Sequence, residues 1–164
     1  MRFDRLVWIA CFALACAMQA GFAQSPVAPR IHIIYMGGDD CPPCVAWRSN
    51  ELPKLRQTEA FKAIRFSFVL KVIKSGVPSS FFLPEEVKPY KAMFDEAMFD
   101  EASGGRTGSP HFAIMVNDEV YDYTFGVRGA ADVKRMIIAI RDRTPYPYER
   151  CVRIAGMGKC AVKG

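Results

Sequence analysis

The segment Cys41-Pro42-Pro43-Cys44 is the feature that most constrains the fold of this chain. It follows Ile31 to Met36, a nearly all-apolar run that is typical of a buried central β-strand. Gly37 to Asp40 then ends the strand. Prolines are tolerated in a first helical turn, because the N–H that they lack has no helical partner there. The pattern therefore predicts a strand-to-helix junction that carries two cysteines.

Two cysteines at this spacing are compatible with a redox pair, half of a metal site or a structural disulfide. Near a helix N-terminus, unpaired N–H groups and the helix dipole favour the thiolate form of the first cysteine. The thiolate is the attacking species in disulfide exchange. For a redox pair, we expect Cys41 to be the exposed nucleophile and Cys44, one turn later, to be the shielded resolving thiol.

The rest of the chain predicts alternating strands and helices. The patterns indicate a strand at Ile64–Ile73, a helix beginning at Pro84, a hairpin of His111–Val116 and Val120–Phe125 that turns at Asn117-Asp118, and an amphipathic helix at Ala130–Arg143. The order β-α-β-α-β-β-α begins with a parallel βαβ unit and ends with an antiparallel hairpin and a helix. The predicted fold class is therefore α/β, with a mixed four-stranded sheet and helices on both faces.

The two ends of the chain are predicted to lie outside this fold. In residues 1–23, two arginines precede the apolar run Leu6 to Ala17 and small residues follow, which is typical of a secretory signal peptide. The run is shorter than the about 20 residues that span a bilayer. We therefore expect cleavage, no membrane span in the mature chain, and a periplasmic or otherwise secreted location. Residues 24–30 are predicted to be an extended lead-in, and residues 144–164 a C-terminal tail.

Composition and charge indicate one globular domain. The chain has 164 residues, of which 51% are hydrophobic and 24% charged, so it has enough apolar residues to form a core. Its 22 Lys and Arg exceed its 17 Asp and Glu and give a net charge of +5, but the two signs are interspersed. This pattern does not point to a nucleic-acid partner.

Cysteine usage is compatible with export. The chain has 6 cysteines, and Cys11 and Cys16 would leave with the signal peptide, so an even number remains. We predict that Cys151 and Cys160 form a structural disulfide in the tail. The alternative is a second redox pair that relays electrons to or from the first, which the spacing does not favour.

Three features together resemble the thioredoxin superfamily, most of all its exported bacterial members. They are the cysteine-proline segment after an apolar strand, Ser109-Pro110 at the start of a hairpin strand, and the closing helix. The resemblance covers roughly residues 31–143. It implies a thioredoxin-like fold and a thiol–disulfide oxidoreductase that needs no cofactor. It also implies a cis peptide bond before Pro110, which would pack beside the active disulfide, and a Ser109 backbone that pairs with the substrate peptide.

The chain departs from this family beside the cysteines. Cytoplasmic thioredoxins typically carry tryptophan where Asp40 stands, and a buried acid that assists proton transfer where Tyr35 stands. The charges of Asp39 and Asp40 would disfavour a thiolate on Cys41, and no histidine lies between the cysteines as it does in strong oxidants. We therefore expect a less oxidising pair, as in a reductase, with Asp39, Asp40 and Tyr35 as candidates for tuning it.

An insertion and a histidine add to the predicted site. Relative to a minimal thioredoxin, residues around 75–105 form an insertion that would set the choice of partner. His111 directly follows Pro110 and is a candidate either to tune the thiol or to bind metal. Alternation along the strand could equally turn His111 away from the cysteines.

The leading prediction is an exported protein disulfide reductase. It would act on proteins with disulfides or thiols, and an upstream membrane or periplasmic electron donor would recharge it. One alternative is a copper- or zinc-handling module, in which Cys41 and Cys44 bind the metal with a histidine such as His111. Another is a redox-silent binding domain with a structural Cys41–Cys44 disulfide.

Overall fold

The computed structural model describes residues 27–73, 75–99 and 109–150, and in its fourth helix the side chains are described up to Asp95. The predicted signal peptide, the start of the lead-in, the end of the insertion and the Cys151–Cys160 pair lie outside the described residues. In the part of the chain that is described, no helix has the length and apolar character needed to cross a membrane.

The described chain contains four strands and five α-helices. The strands are β1 (Ile31–Gly37), β2 (Arg65–Leu70), β3 (His111–Val116) and β4 (Glu119–Phe125). The helices are α1 (Pro42–Asn50), α2 (Leu52–Arg56), α3 (Glu59–Lys62), α4 (Lys91–Phe99) and α5 (Ala130–Arg141). Two short 3-10 helices, Ser80–Phe82 and Lys88–Tyr90, precede α4.

The four strands form one mixed sheet in the order β2-β1-β3-β4. β1 pairs in parallel with β2, and helices α1 to α3 provide the crossover that a parallel pair requires. β1 pairs antiparallel with β3, and β3 pairs antiparallel with β4. Asn117 and Asp118 both have positive φ angles, as a two-residue hairpin turn of this kind demands. The predicted α/β class with a mixed four-stranded sheet is confirmed.

The central strand β1 supports a core on each face of the sheet. Ile31, Ile33 and Tyr35 pack into a first core with side chains of α1, α2, α3 and α5. Ile34 and Met36 pack into a second core that includes Phe94 of α4. Successive side chains of a strand point to opposite faces, so a nearly all-apolar β1 needs helices on both sides.

Prolines and strand pairing move several predicted boundaries. The helix predicted to begin at Pro84 is present, but its predicted start is wrong, and α4 begins only at Lys91. Pro89 lacks the N–H that a continuous helix from Pro84 would need. The helix after the cysteines breaks before Leu52, with Pro53 in the first turn of α2. β2 is shorter than predicted, because its last partner is Gly37 at the end of β1.

Candidate redox site

The two cysteines meet where β1 ends and α1 begins. Cys41 and Cys44 form a disulfide with an S–S distance of 2.09 Å and a Cα–Cα distance of 5.2 Å. Cys41 is the N-cap residue of α1, and its Sγ accepts a hydrogen bond from the Cys44 backbone N–H at 3.3 Å. Pro42 and Pro43 occupy the first turn, as the sequence predicts. This geometry places the Cys41 sulfur at the positive end of the helix dipole.

The prediction that Cys41 is exposed is wrong for the disulfide form. Both cysteines are 0% exposed and belong to the first core. The S–S bond holds the Cys41 sulfur against Cys44, which the helix directs into that core. The exposed residues that flank the two cysteines in the chain are charged before Cys41 and apolar after it: Asp39 and Asp40, then Pro42, Pro43 and Val45.

Aromatic rings support the disulfide from the sheet side. The Tyr35 ring stacks on Trp47, with ring centroids 4.5 Å apart. Phe112 of β3 meets both rings edge-on, at centroid distances of 5.0 Å and 5.2 Å. The Trp47 indole N–H donates to the Arg128 carbonyl at 2.6 Å, which ties α1 to the loop before α5. These contacts fix α1 against the sheet and so fix the position of the cysteines.

Gly37 allows the disulfide to approach the end of β1 closely. A Cβ atom built at this position would lie 2.9 Å from Cys44 Sγ and 3.0 Å from the Tyr35 hydroxyl oxygen. These separations are shorter than the roughly 3.5–4.0 Å of a favourable contact between non-bonded atoms. A side chain at position 37 would therefore displace one of its two neighbours.

Pro110 lies at the same end of the sheet. The Ser109–Pro110 peptide bond is cis. The register of β1 and β3 pairs Met36 with His111, and the same register continued by one residue brings Pro110 beside Gly37. Pro110 is buried, and its carbonyl accepts from the Gly126 N–H at 2.9 Å. Ser109 is half-buried next to it, and the binding of a substrate peptide by its backbone stays a prediction.

The two aspartates before Cys41 have partners of their own. The Asp39 carboxylate forms an ion pair with the Arg48 guanidinium of α1. Asp40 Oδ2 accepts a hydrogen bond from the Ile73 backbone N–H at 2.8 Å. Asp40 thereby joins the loop before the cysteines to the chain that leaves β2. The tuning of the sulfur by these charges stays a prediction.

Lys71 is a residue of this region that the sequence analysis did not single out. Its side chain is 1% exposed, and its backbone N–H donates to the Gly37 carbonyl at 3.2 Å. Burial lowers the pKa of the ammonium group, and the charge of Asp40 opposes that change. A lysine within the apolar run Ile64–Ile73 was the signal that could have identified it.

His111 faces away from the cysteines. Its Nδ1 lies 2.9 Å from the Tyr123 hydroxyl, and its ring contacts Phe125 edge-on at 4.4 Å. Tyr123 and Phe125 belong to the second core, whereas the neighbouring Phe112 packs with the disulfide in the first. The structure therefore does not bring His111 together with Cys41 and Cys44. Over the described ranges, no group of three or more His, Cys, Asp or Glu residues is placed to hold a metal ion.

Comparison with known proteins finds no match for this chain among protein-family models, curated proteins or solved structures. The resemblance to the thioredoxin superfamily therefore stays a prediction.

Proposed function

We propose that this protein is an exported thiol–disulfide oxidoreductase of the thioredoxin superfamily, which reduces disulfides in other proteins. One observation carries the proposal: Cys41 and Cys44 lie at bonding distance at the N-terminus of a helix, against the end of a mixed α/β sheet. Proteins of the exported compartment would be its substrates, and an upstream membrane or periplasmic donor would return electrons to it.

The positions of the two sulfurs give Cys41 and Cys44 different roles in the reaction. In the reduced protein, the Cys41 sulfur accepts a hydrogen bond from the Cys44 backbone N–H and lies at the positive end of the helix dipole. Both interactions stabilise the thiolate form of Cys41. This thiolate attacks one sulfur of a substrate disulfide, forms a mixed disulfide and releases the other substrate sulfur as a thiolate. The Cys44 thiol then loses its proton to solvent and attacks Cys41, which closes the protein disulfide and releases the second substrate sulfur as a thiolate. Two electrons pass to the substrate, and its two thiolates take protons from solvent.

Two substitutions test the proposal in the mature protein, from residue 24 onward. We expect Cys41→Ser to abolish the reduction of insulin, because the attacking thiolate is lost. We expect Cys44→Ser to accumulate a covalent mixed disulfide, because the resolving thiol is lost. Full insulin reduction by the Cys41→Ser variant would refute the proposal.

The tail cysteines provide a matched control. The double variant Cys151→Ser/Cys160→Ser keeps insulin reduction if that pair is structural, and loses it if the pair relays electrons. Export is tested separately by N-terminal sequencing of the protein isolated from the producing cells, with cleavage expected after Ala23.

A redox-silent binding domain is the second candidate, and the burial of both cysteines favours it. A disulfide with 0% exposure is poorly accessible to an attacking thiolate. The reduction potential separates the two functions. Structural disulfides lie below about −300 mV, whereas reductases such as thioredoxin lie near about −270 mV and strong oxidants near about −120 mV.

A further inference from the structure

The Tyr35 hydroxyl lies beside Cys44 at the end of β1. It donates a hydrogen bond to the Cys44 carbonyl at 3.4 Å, which is beyond the usual range of 2.5–3.0 Å for hydroxyl donors. The same Cβ position above Gly37 would lie 3.0 Å from this hydroxyl and 2.9 Å from Cys44 Sγ. The hydroxyl and the sulfur therefore both lie within about 3 Å of one point, where the side chain of any residue larger than Gly37 would begin.

The surroundings of Tyr35 keep its hydroxyl in place and protonated. The ring is 0% exposed and stacks between Trp47 and Phe68, at centroid distances of 4.5 Å and 5.6 Å. Burial raises the pKa of the phenol well above its usual value, and the opposing charge of Arg48 is the weaker influence. At neutral pH this group is thus a hydrogen-bond donor and not a base.

We propose that the Tyr35 hydroxyl donates a hydrogen bond to the Cys44 thiolate and so stabilises it during disulfide exchange. The inference rests on the proposed function, since it assigns a positioning residue to that reaction. When an incoming thiolate attacks Cys41, the S–S bond breaks and its electron pair stays on Cys44 Sγ. The phenol O–H then rotates from the long contact with the Cys44 carbonyl towards the sulfur. The proton stays on Tyr35, and no further atom is exchanged.

The thiol pKa of Cys44 tests this assignment without any substrate. In a Cys41→Ser background, the pKa is measured by NMR titration of the ¹³Cβ signal of Cys44. Hydrogen bonds to charged groups are among the strong ones. We therefore expect Tyr35→Phe to raise the thiol pKa by about one to two units, a loss of roughly 10- to 100-fold in thiolate stability.

Tyr123→Phe is the matched control. Tyr123 is also a fully buried tyrosine, but it packs in the second core on the other face of the sheet. We expect this variant to leave the Cys44 thiol pKa unchanged. An upward change of less than about 0.3 unit in Tyr35→Phe, or an equal change in Tyr123→Phe, would overturn the proposal.

A second substitution covers the case in which Tyr35→Phe does not fold. Incorporation of 3-fluorotyrosine at position 35 makes the phenol a stronger donor, so the thiol pKa of Cys44 should fall. A rise or no change contradicts the assignment. These titrations remain informative if the wild-type protein fails to reduce insulin, because that result would refute the proposed function alone.

Discussion

Replacing Gly37 with alanine measures how closely the disulfide packs against the end of β1. The new Cβ would lie 2.9 Å from Cys44 Sγ, 3.0 Å from the Tyr35 hydroxyl oxygen and 3.1 Å from Cys44 Cβ. All three atoms belong to fully buried side chains, and the disulfide bond restrains two of them. The methyl group therefore cannot be accommodated by the movement of a flexible surface side chain.

The expected loss of stability follows from two opposing effects. Overpacking a buried site costs about 1–3 kcal/mol in the free energy of unfolding. We expect a cost in the upper half of this range, because three buried atoms must move to accommodate the methyl group. The unfolded chain has less backbone entropy with alanine than with glycine at position 37, which stabilises the folded variant by about 0.4–1 kcal/mol. The net expectation is a loss of about 2 kcal/mol in the free energy of unfolding of the oxidised protein.

Urea unfolding at pH 7 provides the assay. With a denaturant dependence of about 2 kcal/mol per molar urea, the midpoint of the oxidised Gly37→Ala variant should fall by about 1 M. In the reduced protein the Cys44 side chain is free to rotate away from the methyl group, so we expect about half that loss. The variant should then favour the dithiol by about 1 kcal/mol, which raises the reduction potential by about 20 mV.

Gly129→Ala is the matched control for this experiment. A Cβ at position 129 would meet only Glu51 Oε2 at 3.6 Å and Asp132 Oδ2 at 3.8 Å, which are ordinary contacts. The backbone there has φ −63° and ψ 157°, which alanine adopts readily. Gly129 is the N-cap of α5, where alanine is less favourable than glycine, but alanine loses less backbone entropy on folding. These two effects oppose each other, so we expect a change within about 0.5 kcal/mol. Equal losses for the two variants, or for the oxidised and reduced forms of Gly37→Ala, would refute the packing argument.

Two further substitutions test contacts that hold the site together. Trp47→Phe removes the indole N–H that donates to the Arg128 carbonyl at 2.6 Å, and it should cost about 1–3 kcal/mol in thermal unfolding because that acceptor loses its donor. No loss would contradict this reading of the contact. Glu51→Gln should lower stability at pH 7. The Ala130 backbone N–H donates to the Glu51 carboxylate and holds the pKa of this carboxyl below its usual value. The ionised carboxylate therefore stabilises the folded protein fully above the unfolded-state pKa of about 4.3. This stabilisation disappears as the pH falls through the lower folded-state pKa. Urea midpoints measured from pH 7 to pH 3 should therefore converge with wild type, and a constant difference would contradict the linkage.

Local patterns in the sequence were sufficient to predict the class of fold. A nearly all-apolar β1 favoured helices on both faces of the sheet, and Asn117-Asp118 between two strands favoured a tight turn. The cysteines, with prolines between them after an apolar strand, predicted a helix that opens at this segment, and Cys41 is its N-cap. Each of these conclusions depends on residues that are close together in the chain, so no tertiary contact was needed to reach it.

The surroundings of the cysteines depended on the tertiary structure. The strand register decides which face of the sheet His111 occupies. This face carries the second core, so His111 is separated from the disulfide. The length of β2 follows from where β1 ends, and Lys71, the residue after β2, is buried by the packing of the chain around it. The contact of Tyr35 with Cys44 requires a strand and a helix to approach within the space that Gly37 leaves. The sequence by itself determined the elements and the reactive pair, because these are local. Only the packing of distant segments decided which groups face that pair, because such contacts leave no periodic pattern in the chain.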